Sequence, residues 1–128
     1  MGIFAVCRNV LLFLFGENNI RILYVLITLV SLDYITGVCV AIKKGELSSS
    51  IGAKGIAKKI VIFSLVALSN IADEYFLNSS GILEAATIVF YCSNESISIL
   101  ENACKMGIPI PKKLKDTLES LKNPENRP

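Results

Sequence analysis

The side chains that could do chemistry in this sequence are acids set within apolar stretches. Asp33 lies near the middle of the apolar residues 20–42, and Glu84 and Glu95 interrupt residues 82–100. An ionised acid at the centre of a bilayer costs about 2.5–3.5 kcal/mol on insertion scales, so such groups face water or other protein and mark functional sites. The acids therefore point to polar chemistry within a membrane.

The residue types do not support catalysis or metal binding. The chain has no His, and its four cysteines are spaced like neither a zinc site nor a redox pair. No nucleophile and base form an evident pair. The lysines flank apolar stretches instead of forming the continuous basic groove of a nucleic-acid-binding protein. We therefore expect no enzyme activity, no cofactor, no metal and no nucleic-acid partner.

Seven polar residues are candidates for lining a pore or for polar contacts inside the membrane. On a helix, steps of seven, four, three and four residues place Glu84, Tyr91, Glu95, Ser98 and Asn102 on one face. That face is predicted to meet water or protein, although an amphipathic helix of a soluble protein shows the same pattern. The seven candidates are Asp33, Asp73, Glu84, Asn94, Glu95, Ser98 and Asn102.

Asp33 has a second interpretation that the residue types leave open. Instead of lining a pore, its carboxylate could bond to Thr36, Ser64 or Asn70 inside a monomeric helix bundle. In an oligomer, self-association lowers the cost of the charge either by hydrating the acid in a lumen or by burying it against polar partners.

Long apolar stretches predict the elements that hold these residues. Residues 20–42 would form a helix about 34 Å long, enough to cross a hydrocarbon core of about 30 Å. Gly37 and Ala41 lie one turn apart on it and form a patch for close helix packing. Residues 1–16 are apolar but short, which favours an interfacial helix over a short extra span. The predicted transmembrane helices are residues 20–42, 60–77 and 82–100.

The lysines indicate which helix ends face the cytoplasm. By the positive-inside rule, we expect residues 43–59 to be a flexible cytoplasmic linker. The lysines that would set the topology and meet anionic lipid headgroups are Lys43, Lys44, Lys54, Lys58 and Lys59. The tail, residues 105–128, is basic too, and Lys112–Lys122 is predicted to be an amphipathic helix.

The expected fold is therefore all-α. Residues 1–128 would form one integral membrane domain with about three transmembrane helices, an N-terminal apolar helix and a C-terminal amphipathic helix. The N-terminus is expected outside and the C-terminus in the cytoplasm.

Four stretches carry a resemblance to a known family. They are LDYITG at 32–37, the pattern SSxxGxxGxxxK within 43–59, ESISILEN at 95–102 and GIPIPKKL at 107–114. In this order they resemble the phage-lysis and toxin-secretion holins of Gram-positive bacteria and their phages. The resemblance covers most of the chain after residue 32, and the first thirty residues do not contribute to it.

The resemblance implies a protein of the bacterial cytoplasmic membrane that oligomerises into a lethal pore. Endolysin, or a large toxin, then leaves the cell through the pore, and the cell lyses. The implied partners are further copies of the chain, membrane lipids and a passenger protein without a predicted specific contact.

Two other functions fit the residues themselves. One is a small channel or transporter subunit, which selective conductance without lysis would indicate. The other is a membrane anchor for a partner protein, which would bind through Lys112–Lys122 without changing permeability.

Overall fold

The described part of the chain is helical. The computed structural model of the protein describes residues 2–123 and 125, and no strand occurs among them. A π-helical turn, Ala72–Phe76, continues the third helix. The α-helices are α1 (Ile3–Phe15), α2 (Ile20–Lys44), α3 (Ser49–Ile71), α4 (Ile82–Lys105) and α5 (Lys112–Lys122). The all-α prediction is confirmed, while residues 124 and 126–128 of the predicted tail lie outside the described residues.

The largest departure from the sequence prediction is in residues 43–59, where we expected a flexible linker. α3 begins at Ser49, so most of this segment is helical. The Ser48 hydroxyl caps α3 by accepting a hydrogen bond from the Ile51 backbone N–H at 3.2 Å, which pairs one of the free N–H groups of the first turn. The linker prediction is wrong because Lys residues suit a helix as well as a loop.

The transmembrane prediction agrees with one helix by length and composition. Among the described residues, α2 is the helix both long and apolar enough to cross a membrane. α3 carries Lys54, Lys58 and Lys59 in its first half, and α4 carries three glutamates. The count of three transmembrane helices therefore stays a prediction.

The helices pack around α4 more than around their sequence neighbours. α2 and α4 share the most extensive interface, and α4 also contacts α3 and α5. α2 and α3, although adjacent in sequence, touch each other sparsely, and α1 packs on α3. The apolar core between α2, α3 and α4 consists of Leu23, Leu26, Val30, Ile62, Val66 and Ile88.

The outer surface is strongly apolar and the interior holds polar groups. α1 has no buried residue, and Phe4 on it is 87% exposed. Large apolar side chains are also exposed along α2, α3 and α4, whereas acids and amides are buried between them. This is the reverse of a soluble protein, which exposes its polar groups to water.

Candidate functional site

Three charged side chains, one from each of α2, α3 and α4, meet inside the bundle. Lys59 Nζ donates hydrogen bonds to Asp33 Oδ2 and, at 2.5 Å, to Glu95 Oε2. The side chains of Lys59, Asp33 and Glu95 are only 15%, 11% and 6% exposed. We call these three residues the charge cluster. When all three are ionised, it holds one more negative charge than positive.

The apolar core determines where the charge cluster lies. Asp33 follows the core residue Val30 by three positions on α2, and Lys59 precedes Ile62 by three on α3. Positions three or seven apart share a helix face, and Glu95 lies seven residues after Ile88 on α4. Packing the three apolar faces together therefore brings the three charges together one layer further along the bundle.

Asn102 extends the charge cluster along α4. Its Nδ2 donates to Thr36 Oγ1 at 2.9 Å and to Asp33 Oδ1 at 3.3 Å. The Thr36 hydroxyl also lies within hydrogen-bond distance of the Asp33 backbone carbonyl, at 3.1 Å. Hydrogen bonds to a carboxylate favour its ionised form. Asn102 thus joins α4 to α2 through polar groups that would be costly to bury without a hydrogen-bond partner.

Asp73 forms a second buried polar site at the other end of α4. Its carboxylate accepts hydrogen bonds from Ser79 Oγ at 2.6 Å, the Leu83 N–H at 3.1 Å and the Glu84 N–H at 2.8 Å. The N-cap residue of α4 is Gly81, which has no side chain to offer. Asp73, only 1% exposed, therefore caps α4 from the preceding π-helical turn, where a negative charge also suits the helix dipole.

Asn19, just before α2, is tied to the same end of α4. Its Nδ2 donates to the Gly81 carbonyl at 2.8 Å and to Glu84 Oε1 at 2.9 Å. Glu84 is 1% exposed, and its Oε2 has no hydrogen-bond partner among the described residues. We call Asp73, Glu84 and Asn19 the cap cluster. It fastens the start of α2 and the end of α3 to the start of α4.

Six of the seven predicted polar residues lie in or beside these two clusters. Asp33 and Glu95 belong to the charge cluster, Asn102 contacts it, and Ser98 lines a cavity beside it. Asp73 and Glu84 lie in the cap cluster. The seventh residue, Asn94, is half-buried and its Oδ1 has no partner among the described residues.

Of the three residues predicted as alternative hydrogen-bond partners of Asp33, only one lies beside it. Thr36 contacts its backbone carbonyl and shares Asn102 with it. Ser64 instead donates to the Ile60 carbonyl at 2.9 Å. Asn70 donates to the Leu14 carbonyl at 3.0 Å, at the end of α1.

Lys59 departs from its predicted role at a lipid headgroup. Its ammonium lies between two carboxylates, whereas Lys43, Lys44, Lys54 and Lys58 are exposed and their topology role stays a prediction. The signal that could have found this is its spacing from the apolar residues that follow it on α3, at steps of three and seven. Those steps put Lys59 on the buried face.

The sparse contact between α2 and α3 leaves a cleft with two cavities. The α1-side groove has a volume of about 900 Å3 and is lined by residues that include Phe15, Ser31, Ile35 and Phe63. The loop-side cavity, of about 710 Å3, is lined by residues that include Gly37, Ala41, Ser98 and Asn102. The predicted packing patch of Gly37 and Ala41 therefore faces this cavity. Three residues line both cavities: Tyr34, Ile56 and Lys59.

Comparison with known proteins gives consistent matches. Residues 9–123 match the bacteriophage holin family, which is not a family of enzymes. An uncharacterised protein of Halalkalibacterium halodurans is 40% identical over 127 residues, covering 96% of this chain and 93% of that protein. A probable holin of Bacillus phage phi105 is 35% identical over 111 residues, covering 87% and 80%. No solved structure matches.

Proposed function

The chain belongs to the bacteriophage holin family, and on that premise we propose that it is a holin that forms a lethal pore. It would accumulate in the cytoplasmic membrane, associate with further copies and release endolysin or a large toxin, so that the cell lyses. The likeness to a probable phage holin over most of both chains supports this function.

We propose a multi-pass arrangement with the C-terminus in the cytoplasm. Exposed lysines lie around the α2–α3 turn, and α5 carries further lysines; both features favour the cytoplasmic side. Lys43, Lys44, Lys54 and Lys58 would contact anionic headgroups there. The passenger protein needs no specific contact, because a sufficiently wide pore discriminates by size.

The charge cluster is the observation that carries the pore mechanism. Its acids lie inside a bundle whose outer surface is apolar, so a single copy hides its charge from lipid. A pore lumen offers the same acids water instead. We infer that association of several copies turns the polar face of α4 toward a shared lumen, where Glu95, Ser98 and Asn102 meet water.

Inducible expression in a bacterial host, with and without a cytoplasmic endolysin, tests this function. A holin is expected to abolish the membrane potential abruptly at a set time after induction, and to lyse the culture only when endolysin is present. The matched variants are Glu95→Gln, which removes one charge of the charge cluster, and Glu101→Gln, which changes an exposed acid of the same helix. The first is expected to shift the time of lysis and the second to leave it unchanged.

Other outcomes would replace the proposal. Selective ion conductance without lysis would identify a channel or transporter subunit. Persistent growth with an intact potential, despite membrane insertion, would favour an anchor, with a partner captured through α5. An unchanged lysis time in Glu95→Gln, at equal protein amounts, would remove the charge cluster from the mechanism.

A further inference from the structure

Tyr34 stands where the two cavities of the α2–α3 cleft meet. Its side chain lines both the α1-side groove and the loop-side cavity. It directly follows Asp33, so the same turn of α2 contributes an acid to the charge cluster and an aromatic ring to the cleft. α2 and α3 touch sparsely elsewhere, which makes this turn a principal bridge between them.

Two glycines of α3 make room for the Tyr34 ring. A Cβ built on Gly52 would lie 3.1 Å from Tyr34 Oη, and one built on Gly55 would lie 3.6 Å from the ring carbon Cε2. The ring therefore rests against the bare backbone face of α3. No hydrogen bond of the Tyr34 hydroxyl occurs within the described residues, so shape rather than polar bonding holds the ring there.

We propose that Tyr34, seated on Gly52 and Gly55, is a plug that separates the two cavities while the protein is inactive. When the ring swings away from α3, the cavities join into one groove along α2 and α3, beside the charge cluster. Water then passes from the loop-side cavity, which Asp33 already lines, past the charge cluster and into the α1-side groove. This inference rests on the proposed function. It identifies the contact between Tyr34 and α3 as the one that delays pore formation.

The geometry explains why the ring rather than a neighbour acts as the plug. Of the three residues that line both cavities, Lys59 is held by its two ion pairs and Ile56 is half exposed at the outer edge. Tyr34 alone spans from α2 to the α3 backbone. An unbonded aromatic side chain can change rotamer without breaking a hydrogen bond.

The test compares full-length variants at equal protein amounts, with the time of membrane depolarisation as the first readout. Tyr34→Ala removes the plug and is expected to depolarise cells earlier than the wild type. Gly52→Ala forces a methyl group against the Tyr34 hydroxyl and is expected to act in the same direction. Tyr34→Phe removes that hydroxyl, so Gly52→Ala is expected to have no further effect in the Tyr34→Phe chain. This pair keeps the ring volume and does not depend on the folding of Tyr34→Ala.

Gly55→Ala is the matched control, because it brings the same gain in helix propensity but only an ordinary contact with the ring. It is expected to depolarise cells at the wild-type time. Equal times for Gly52→Ala and Gly55→Ala, or an equal effect of Gly52→Ala with and without the Tyr34 hydroxyl, would overturn the plug.

A second readout does not depend on lysis. Ala67 lines the α1-side groove and is only 9% exposed, so Ala67→Cys, in a chain whose native cysteines are replaced by alanine, reports water that enters that groove. A charged thiol reagent added to both sides of membrane vesicles is expected to label this cysteine several-fold faster after Tyr34→Ala than in the otherwise wild-type chain. If the wild type never depolarises cells, the proposed function fails, and this labelling still decides the plug. Unchanged labelling would refute it.

Discussion

Replacing Lys59 by methionine is the sharpest perturbation of the charge cluster. The substitution keeps the length and apolar stem of the side chain and removes the ammonium group between Asp33 and Glu95. Two carboxylates would then face each other with 11% and 6% of their side chains exposed. We expect a large loss of stability, because the remaining charges are buried without a counter-ion.

The size of the effect follows from opposing contributions. Each ion pair contributes about 4 kcal/mol at an effective dielectric of about 20 and about 4 Å between charge centres. Burial of the ions and repulsion between the two acids offset much of that gain, and breaking a buried pair costs about 3–5 kcal/mol in measured cases. Uptake of a proton by one acid limits the loss. We therefore expect Lys59→Met to destabilise the bundle by about 3 kcal/mol.

Cys92 offers an internal probe of this loss. It is half-buried and packs against the apolar core, whereas Cys7, Cys39 and Cys104 are exposed and can be changed to serine. In detergent-purified protein, we expect labelling of Cys92 by a bulky thiol reagent to require opening of the bundle, because the residue packs against the core. At 1.4 kcal/mol per factor of ten, the expected destabilisation accelerates labelling roughly a hundredfold.

Lys58→Met is the matched control, since Lys58 is the adjacent residue and is exposed. It is expected to change the opening free energy by less than about 0.5 kcal/mol. The triple variant Lys59→Met, Asp33→Asn, Glu95→Gln is expected to recover much of the lost stability, because no charge remains buried. Equal labelling of Cys92 in the Lys58 and Lys59 variants would refute the cluster and restore the headgroup role of Lys59.

Two further predictions concern the cap cluster and the turns, and a thermal denaturation midpoint in detergent measures both. Asp73→Ala leaves the first N–H groups of α4 without their cap and is expected to lower the stability by about 2 kcal/mol. Glu74→Ala, at an exposed position of the same turn, is expected to be nearly neutral. Equal denaturation midpoints of the two variants would exclude the cap. Gly81 and Gly45 both have positive φ, 82° and 68°, but a Cβ on Gly81 would lie 2.6 Å from Asn19 Nδ2 and one on Gly45 would meet nothing. Gly81→Ala is therefore expected to cost about 1–3 kcal/mol more than Gly45→Ala from overpacking, and an equal loss in both would show that backbone conformation alone matters there.

The helices and the polar face of α4 could be predicted from the sequence because they depend on local periodicity. Steps of three, four and seven residues placed Glu95, Ser98 and Asn102 on one face, and the apolar runs predicted helices. The tail helix Lys112–Lys122 occurs with its predicted bounds. These features need no knowledge of which helices are neighbours.

The partners of those residues could not be predicted, since they depend on packing between helices. A helical pattern gives the direction of a side chain, but the opposite residue follows from the register of two helices. That α2 packs more on α4 than on α3 is such a fact. The turn after α2 is short, so α3 begins at Ser49 and Lys59 lies on this helix within the bundle. The prediction of a linker over residues 43–59 did not place Lys59 on a helix and so missed its buried position.

The central helix of the bundle, α4, is synthesised after two of the helices that pack on it, α2 and α3. α2 and α3 leave the ribosome before α4, and at that stage Asp33 is the acid of the charge cluster that Lys59 can pair with, so the two helices bring a neutral pair. Neutralising a charge before insertion lowers the cost of placing it in lipid. Glu95 arrives with α4 and adds the unbalanced charge only at the end. The buried charge of the bundle is therefore balanced while α2 and α3 are its only long helices, and the excess negative charge comes with α4.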